Sequence, residues 1–192
     1  MSKLFVDEIV HQSSQGSGTI TVGASGETVN IPAGATLTNS GTNNLLTPLV
    51  SVTMSAGQDT TDDAATLIAF DTVDVDTDSA FTNTAGNYKF TVPSGKAGKY
   101  MINCMTTSFN ENSATQMVQS YIYVNGATVS YQRQRNDGAN SVTTRHAGTT
   151  VHWIGNLSVG DYVQFYYRHD VDSATPNLQG SQQARATIVK VG

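Results

Sequence analysis

Alternation with a period of two governs most of this chain. Tyr88, Phe90 and Val92 alternate with Lys89 and Thr91, and Tyr100, Ile102 and Cys104 with Met101 and Asn103. Val163, Phe165 and Tyr167 alternate with Gln164, Tyr166 and Arg168. Successive side chains of an extended strand point to opposite faces, so each run is a strand with one face buried. The same reading predicts strands at Leu49–Met54, Thr66–Phe70 with Thr72–Val75, Gly98–Cys104 continuing to Phe109, and Met117–Val124. It adds Thr128–Arg133, Thr149–Ile154, Asp161–His169 and Ala184–Val191. Asn125-Gly126 supplies the left-handed conformations of a tight hairpin turn. About nine or ten strands in about 145 residues, with no helical pattern, make an all-β sandwich.

Composition agrees. Only 13% of residues are charged, against about 25% in an average domain, and the difference is made up by Thr, Ser, Asn, Gln and 17 glycines. Lys, Glu and Leu, the good helix formers, are scarce. No apolar run approaches the roughly 18–20 residues of a membrane helix. Two acids stand where a signal peptide would have its apolar stretch. A single cysteine, Cys104, excludes an internal disulfide framework and a multi-cysteine zinc site, and suits synthesis in a reducing cytoplasm. Residues 1–80 hold one lysine against ten acids, and residues 81–192 hold nine basic side chains against five acids. With a net charge of -5, binding dominated by nucleic-acid phosphates is not expected.

The N-terminal part reads differently. Residues 1–16 carry Leu4, Phe5, Val6 and Ile9 ahead of a Gly/Ser joint, a short sticky segment suited to docking. Residues 17–44 form a Gly/Thr-rich β-repeat stem and linker, with short strands at Thr19–Val22, Thr28–Ile31 and Ala35–Thr38. Each offers one or two apolar side chains, and a meander this small is marginal alone in water. Copies from other chains around a three-fold axis would supply the missing partners. Even fully extended, a stem of 28 residues spans only about 95 Å, too short for a long fibre.

Residues 45–192 carry four motifs in order. Ile68-Ala69-Phe70-Asp71-Thr72-Val73 precedes Asp78-Ser79-Ala80-Phe81; Phe90-Thr91-Val92-Pro93 leads to Gly98-Lys99-Tyr100; Tyr123-Val124-Asn125-Gly126 ends a strand in a hairpin; and Leu157-Ser158-Val159-Gly160-Asp161-Tyr162-Val163 opens a late strand. In this the chain resembles the C1q/TNF-like jelly rolls, in particular the C1q-like heads of bacteriophage virion proteins. Asn177–Gly180 departs from the family's small-residue stretch, and there is no collagen repeat. Gly18–Leu37 looks like the short β-repeats that precede receptor or fibre modules in tailed phages.

The resemblance implies a homotrimeric virion-surface protein made in the host cytoplasm and bound to a phage capsid or tail protein through its N-terminus. It would be a short fibre or spike whose head binds the host surface or a host glycan. The alternatives are a capsid decoration (cement) protein and a secreted C1q-like lectin. Neither nucleic-acid binding nor membrane insertion is implied. Tyr121, Tyr123, Trp153 and Tyr162 are the expected trimer-interface residues, since Tyr and Trp suit subunit contacts.

No metalloprotease, P-loop or nucleophile-elbow spacing is present, and no enzyme is expected. His11, His146, His152 and His169 read as surface or interface histidines. No metal site or cofactor is expected. Asp59-Thr60-Thr61-Asp62-Asp63 and Asp74, Asp76 and Asp78 are oxygen-rich enough for calcium, or form a solvated acidic face. For recognition, Tyr131, Arg133 and Arg135 share one strand face, Arg145-His146 follow the next loop, and Tyr166 projects with Arg168. Arginine beside aromatic rings suits anionic sugars and carboxylates, and equally interchain salt bridges.

Overall fold

The computed structural model describes residues 48–109, 115–135, 146–171, 175, 177–181 and 183–191. The chain separates into two units, Met1–Thr42 and Asn43–Gly192. The docking segment, the stem and Arg145 lie outside the described residues.

Thirteen strands are described, in chain order β1 (Leu49–Thr53), β2 (Gln58–Asp59), β3 (Thr66–Leu67), β4 (Thr72–Asp76), β5 (Phe81–Thr84), β6 (Asn87–Thr91) and β7 (Gly98–Phe109). They continue with β8 (Thr115–Val124), β9 (Ala127–Arg135), β10 (His146–Leu157), β11 (Tyr162–Val171), β12 (Asn177–Leu178) and β13 (Arg185–Lys190). No helix occurs among the described residues.

Two sheets form. In the first, β10 lies along one side of β7, β13 and β12 share its other side, and β1 and β4 follow β13 while β2 follows β12. The second runs β5-β6-β11-β8-β9, with β3 also paired to β11. The strand ladders are antiparallel throughout. An Asp62–His169 bridge, parallel in sense, stands apart from them.

The alternation read in the sequence sets the core. Tyr100, Ile102 and Cys104 of β7 point inward from the first sheet, and Phe90, Val163, Phe165 and Tyr167 from the second. Phe90 and Tyr100 meet across the gap with ring centroids 5.7 Å apart. Phe70 stands edge-on to Phe165 at 5.6 Å.

Farther along the strands the core turns polar. Thr106 of β7, Ser120 of β8 and Thr149 of β10 are buried and bond to one another, with Thr106 Oγ1 2.7 Å from Ser120 Oγ and 3.1 Å from Thr149 Oγ1. Ser108 donates to the Ala147 carbonyl at 3.1 Å. Buried hydroxyls satisfied by one another carry little desolvation penalty, whereas a solitary one would.

The strand expected over Thr66–Phe70 is short because a side chain replaces a strand partner. Gln58 Oε1 accepts from the Ala69 N–H and Gln58 Nε2 donates to the Leu67 carbonyl, both at 2.9 Å. Asn125 (φ 52°) and Gly126 (φ 79°) form the expected left-handed hairpin turn. The Asn125 carboxamide is clamped from outside, donating to Asp161 and accepting from the Tyr162 N–H.

Candidate functional site

Each sheet has a second, outward face, and the two differ in chemistry. On the first sheet, register places Ile154 of β10 beside Met101 of β7, Met101 beside Val189 of β13, and Val189 beside Leu49 of β1. These four apolar side chains cross four strands in one row, on the face where alternation calls for polar residues. Ile154 is 62% exposed and Met101 37%, and Met105 lies four residues along β7 on the same face, also exposed. Asn103, His152 and Thr187 border the row.

On the second sheet the outward face is aromatic and basic. Tyr131 of β9, Tyr121 of β8 and Tyr166 of β11 stand opposite one another in register. The rings of Tyr131 and Tyr121 are 6.2 Å apart, Tyr121 and Tyr123 5.9 Å, and Tyr123 and Tyr166 4.5 Å. Lys89 Nζ lies 5.3 Å from the centre of the Tyr162 ring. Burial, and then the neighbouring Tyr123 and Tyr162 hydroxyls, raise the Tyr166 pKa above the ordinary tyrosine value. Arg133, opposite Gln119, extends the basic edge along β9.

The structure therefore gathers most of the expected residues on one surface. Tyr131, Arg133, Arg135, Tyr166 and Arg168, expected to bind a ligand, share the second sheet with Tyr121, Tyr123 and Tyr162, expected at a trimer interface. Trp153 is on the other sheet, half-buried against the core, its ring lying over Gly155. His146 is exposed at the start of β10. Arg168 is already engaged, its guanidinium bonding Asp63 and anchoring the loop before β3.

The surface reading of the histidines fails for His169. It continues the inward phase of Phe165 and Tyr167 and is fully buried, with Nε2 3.1 Å from Thr115 Oγ1. Burial lowers its pKa to about 4, against an opposing pull from Asp62. Both His169 and Thr115 are shut from solvent, so this histidine–hydroxyl pair offers no route for a substrate.

The acidic runs disperse into local contacts. Asp76 caps the turn to β5 by accepting from the N–H groups of Asp78, Ala80 and Phe81. Asp78 pairs with Lys96 at 3.2 Å, Asp62 accepts from the Val171 N–H, and Asp59 accepts from Asn177. Among the described residues no three His, Cys, Asp or Glu side chains converge as a metal site.

The apolar row and the buried hydroxyls were both missed by sequence reasoning, and each had a signal. Met101, Met105 and Ile154 are apolar residues in the outward phase of their strands, and Thr106 and Ser108 are small hydroxyls in the inward phase.

The order of strands in two antiparallel sheets, with β1, β13, β7 and β10 in one and β6, β11, β8 and β9 in the other, defines a jelly roll of the TNF/C1q kind. Solved structures share it. Murine APRIL at pH 5.0 superposes with a TM-score of 0.54 at 10% identity, over 74% of this chain and 98% of that one. The globular domain of zebrafish complement 1qA gives 0.51 at 13% identity, over 76% and 98%. No family model and no curated protein matches the chain. At such identities the likeness establishes the fold.

Proposed function

We propose that this chain is an accessory virion structural protein of a tailed bacteriophage, a short fibre or spike. Three copies clasp through the apolar row of the first sheet, and the C1q-like heads turn their aromatic sheets outward to bind the host surface. The reading works by binding and assembly, with no turnover. Residues 1–16 dock the assembly on the particle and residues 17–44 lift the head.

The row Ile154–Met101–Val189–Leu49 carries this reading. Contiguous exposed apolar surface marks an interaction site, and an isologous or cyclic contact between identical chains is the commonest way to cover it. The resemblance to C1q-like heads supplies the number three. The test is M101K with I154K, both at exposed positions, followed by mass measurement in solution. Separation into folded single chains supports the reading, and an unchanged assembly refutes the interface. Deleting residues 1–16 is expected to release the protein from particles. Loss of host adsorption then favours a spike, and loss of shell stability with adsorption intact favours a decoration protein.

A further inference from the structure

The tyrosine stripe lies on the second sheet, away from the apolar row through which copies are proposed to clasp. Tyr131, Tyr121, Tyr123 and Tyr166 form an unbroken chain of rings running across three strands. Tyrosine offers an apolar ring face and a polar tip at low conformational cost, a combination suited to ligands that are themselves flat on one side and hydroxylated at the edge. Pyranose rings have that shape, and the tyrosine rings, inclined to one another by 40° to 65°, present several such faces along the stripe.

Charge narrows the class. The strands of this sheet carry Lys89, Arg133, Arg135 and Arg168 against Asp170 alone, in a chain whose net charge is -5. Asp63 offsets Arg168, which leaves Lys89 beside Tyr162 at one end of the stripe and Arg133 two residues beyond Tyr131 at the other. A basic, aromatic strip on an acidic protein attracts an anionic partner locally and repels it elsewhere. Arginine is the side chain best matched to a carboxylate, through a two-pronged hydrogen bond.

We propose that this stripe binds a linear acidic polysaccharide, whose sugar faces lie on Tyr131, Tyr121 and Tyr123 and whose carboxylates meet Arg133 and Lys89. The assignment rests on the head being an outward-facing binding module, and it names the ligand class of that module. A second copy of the chain is a poorer occupant, because the apolar row that such a copy would cover lies on the opposite sheet.

The experiment titrates the full chain calorimetrically with oligogalacturonate, with cellohexaose as a neutral saccharide and oligo-dT as an anion lacking pyranose rings. Oligogalacturonate is expected to bind, more weakly as salt is raised, and cellohexaose at least about tenfold less tightly, or about 1.4 kcal/mol. Tyr131→Ala, at a ring 57% exposed, is expected to weaken binding about tenfold without altering the mass of the assembly. Arg133→Gln is expected to narrow the preference for the acidic over the neutral sugar. The assignment is overturned if oligogalacturonate does not bind, if cellohexaose binds equally, if oligo-dT binds more tightly, or if Tyr131→Ala breaks the assembly. A chain found single in solution that still binds oligogalacturonate keeps this assignment and sinks only the trimer.

Discussion

Thr149, on the edge strand of one sheet, shares a hydrogen bond with Ser120 of the facing sheet, and Thr106 bonds to both. The two layers are thus joined by hydroxyls where an apolar filling would be the ordinary solution. Thr149→Val keeps the shape and removes the hydroxyl, at an expected cost of about 1–2 kcal/mol in urea unfolding. Replacing all three, with Val at 106 and 149 and Ala at 120, should cost less than the sum of the single changes, because no polar partner is left stranded.

The packing of Trp153 over Gly155 is equally testable. A Cβ at position 155 would fall 2.0 Å from the Trp153 Cζ2 atom, so Gly155→Ala must displace the ring. Trp153 is the only tryptophan of the chain, so its emission reports the event directly. A shift in emission maximum is expected, with a loss of about 1–3 kcal/mol from overpacking.

Acid should weaken the head through His169. Its pKa is about 4 in the folded protein, below the ordinary 6.5. Between these values the unfolded chain holds a proton that the folded chain refuses. Stability is therefore unaffected by this group above pH 6.5, falls as pH drops from 6.5 towards 4, and has lost the whole contribution below that. At about 1.4 kcal/mol per pKa unit the full effect is of order 3 kcal/mol. An NMR titration of the His169 ring checks it, and a midpoint near 6.5 would refute it.

Cys104 is fully buried, and burial raises its thiol pKa strongly. We expect no reaction with a thiol reagent at pH 8 in the native protein and full labelling in denaturant. Appreciable native labelling would mean that the sandwich opens readily.

How much of this could be read from residues alone divides along a physical line. Period-two alternation fixes which side of a strand is buried, so the inward phases of Tyr100, Ile102, Cys104, Val163, Phe165 and Tyr167 were legible, as was the Asn125-Gly126 turn. Alternation says nothing about which strands end up in the same sheet. Tyr121, Tyr131 and Tyr166 are far apart in sequence and meet only because β8 pairs with both β9 and β11. His169 was misread because its polarity outweighed its phase. The two-residue strands β2 and β12 are too short to show any period. The carboxylate of Asp76 looked like part of an acidic face, whereas its partners are backbone N–H groups that no sequence pattern displays.

The most direct test of a head built to assemble through its first sheet is the mass of the full chain in solution. At micromolar concentration we expect a single species of three times the 20.4 kDa chain mass, converted to folded single chains by M101K with I154K. A wild-type protein that runs as a 20.4 kDa particle under the same conditions would contradict it.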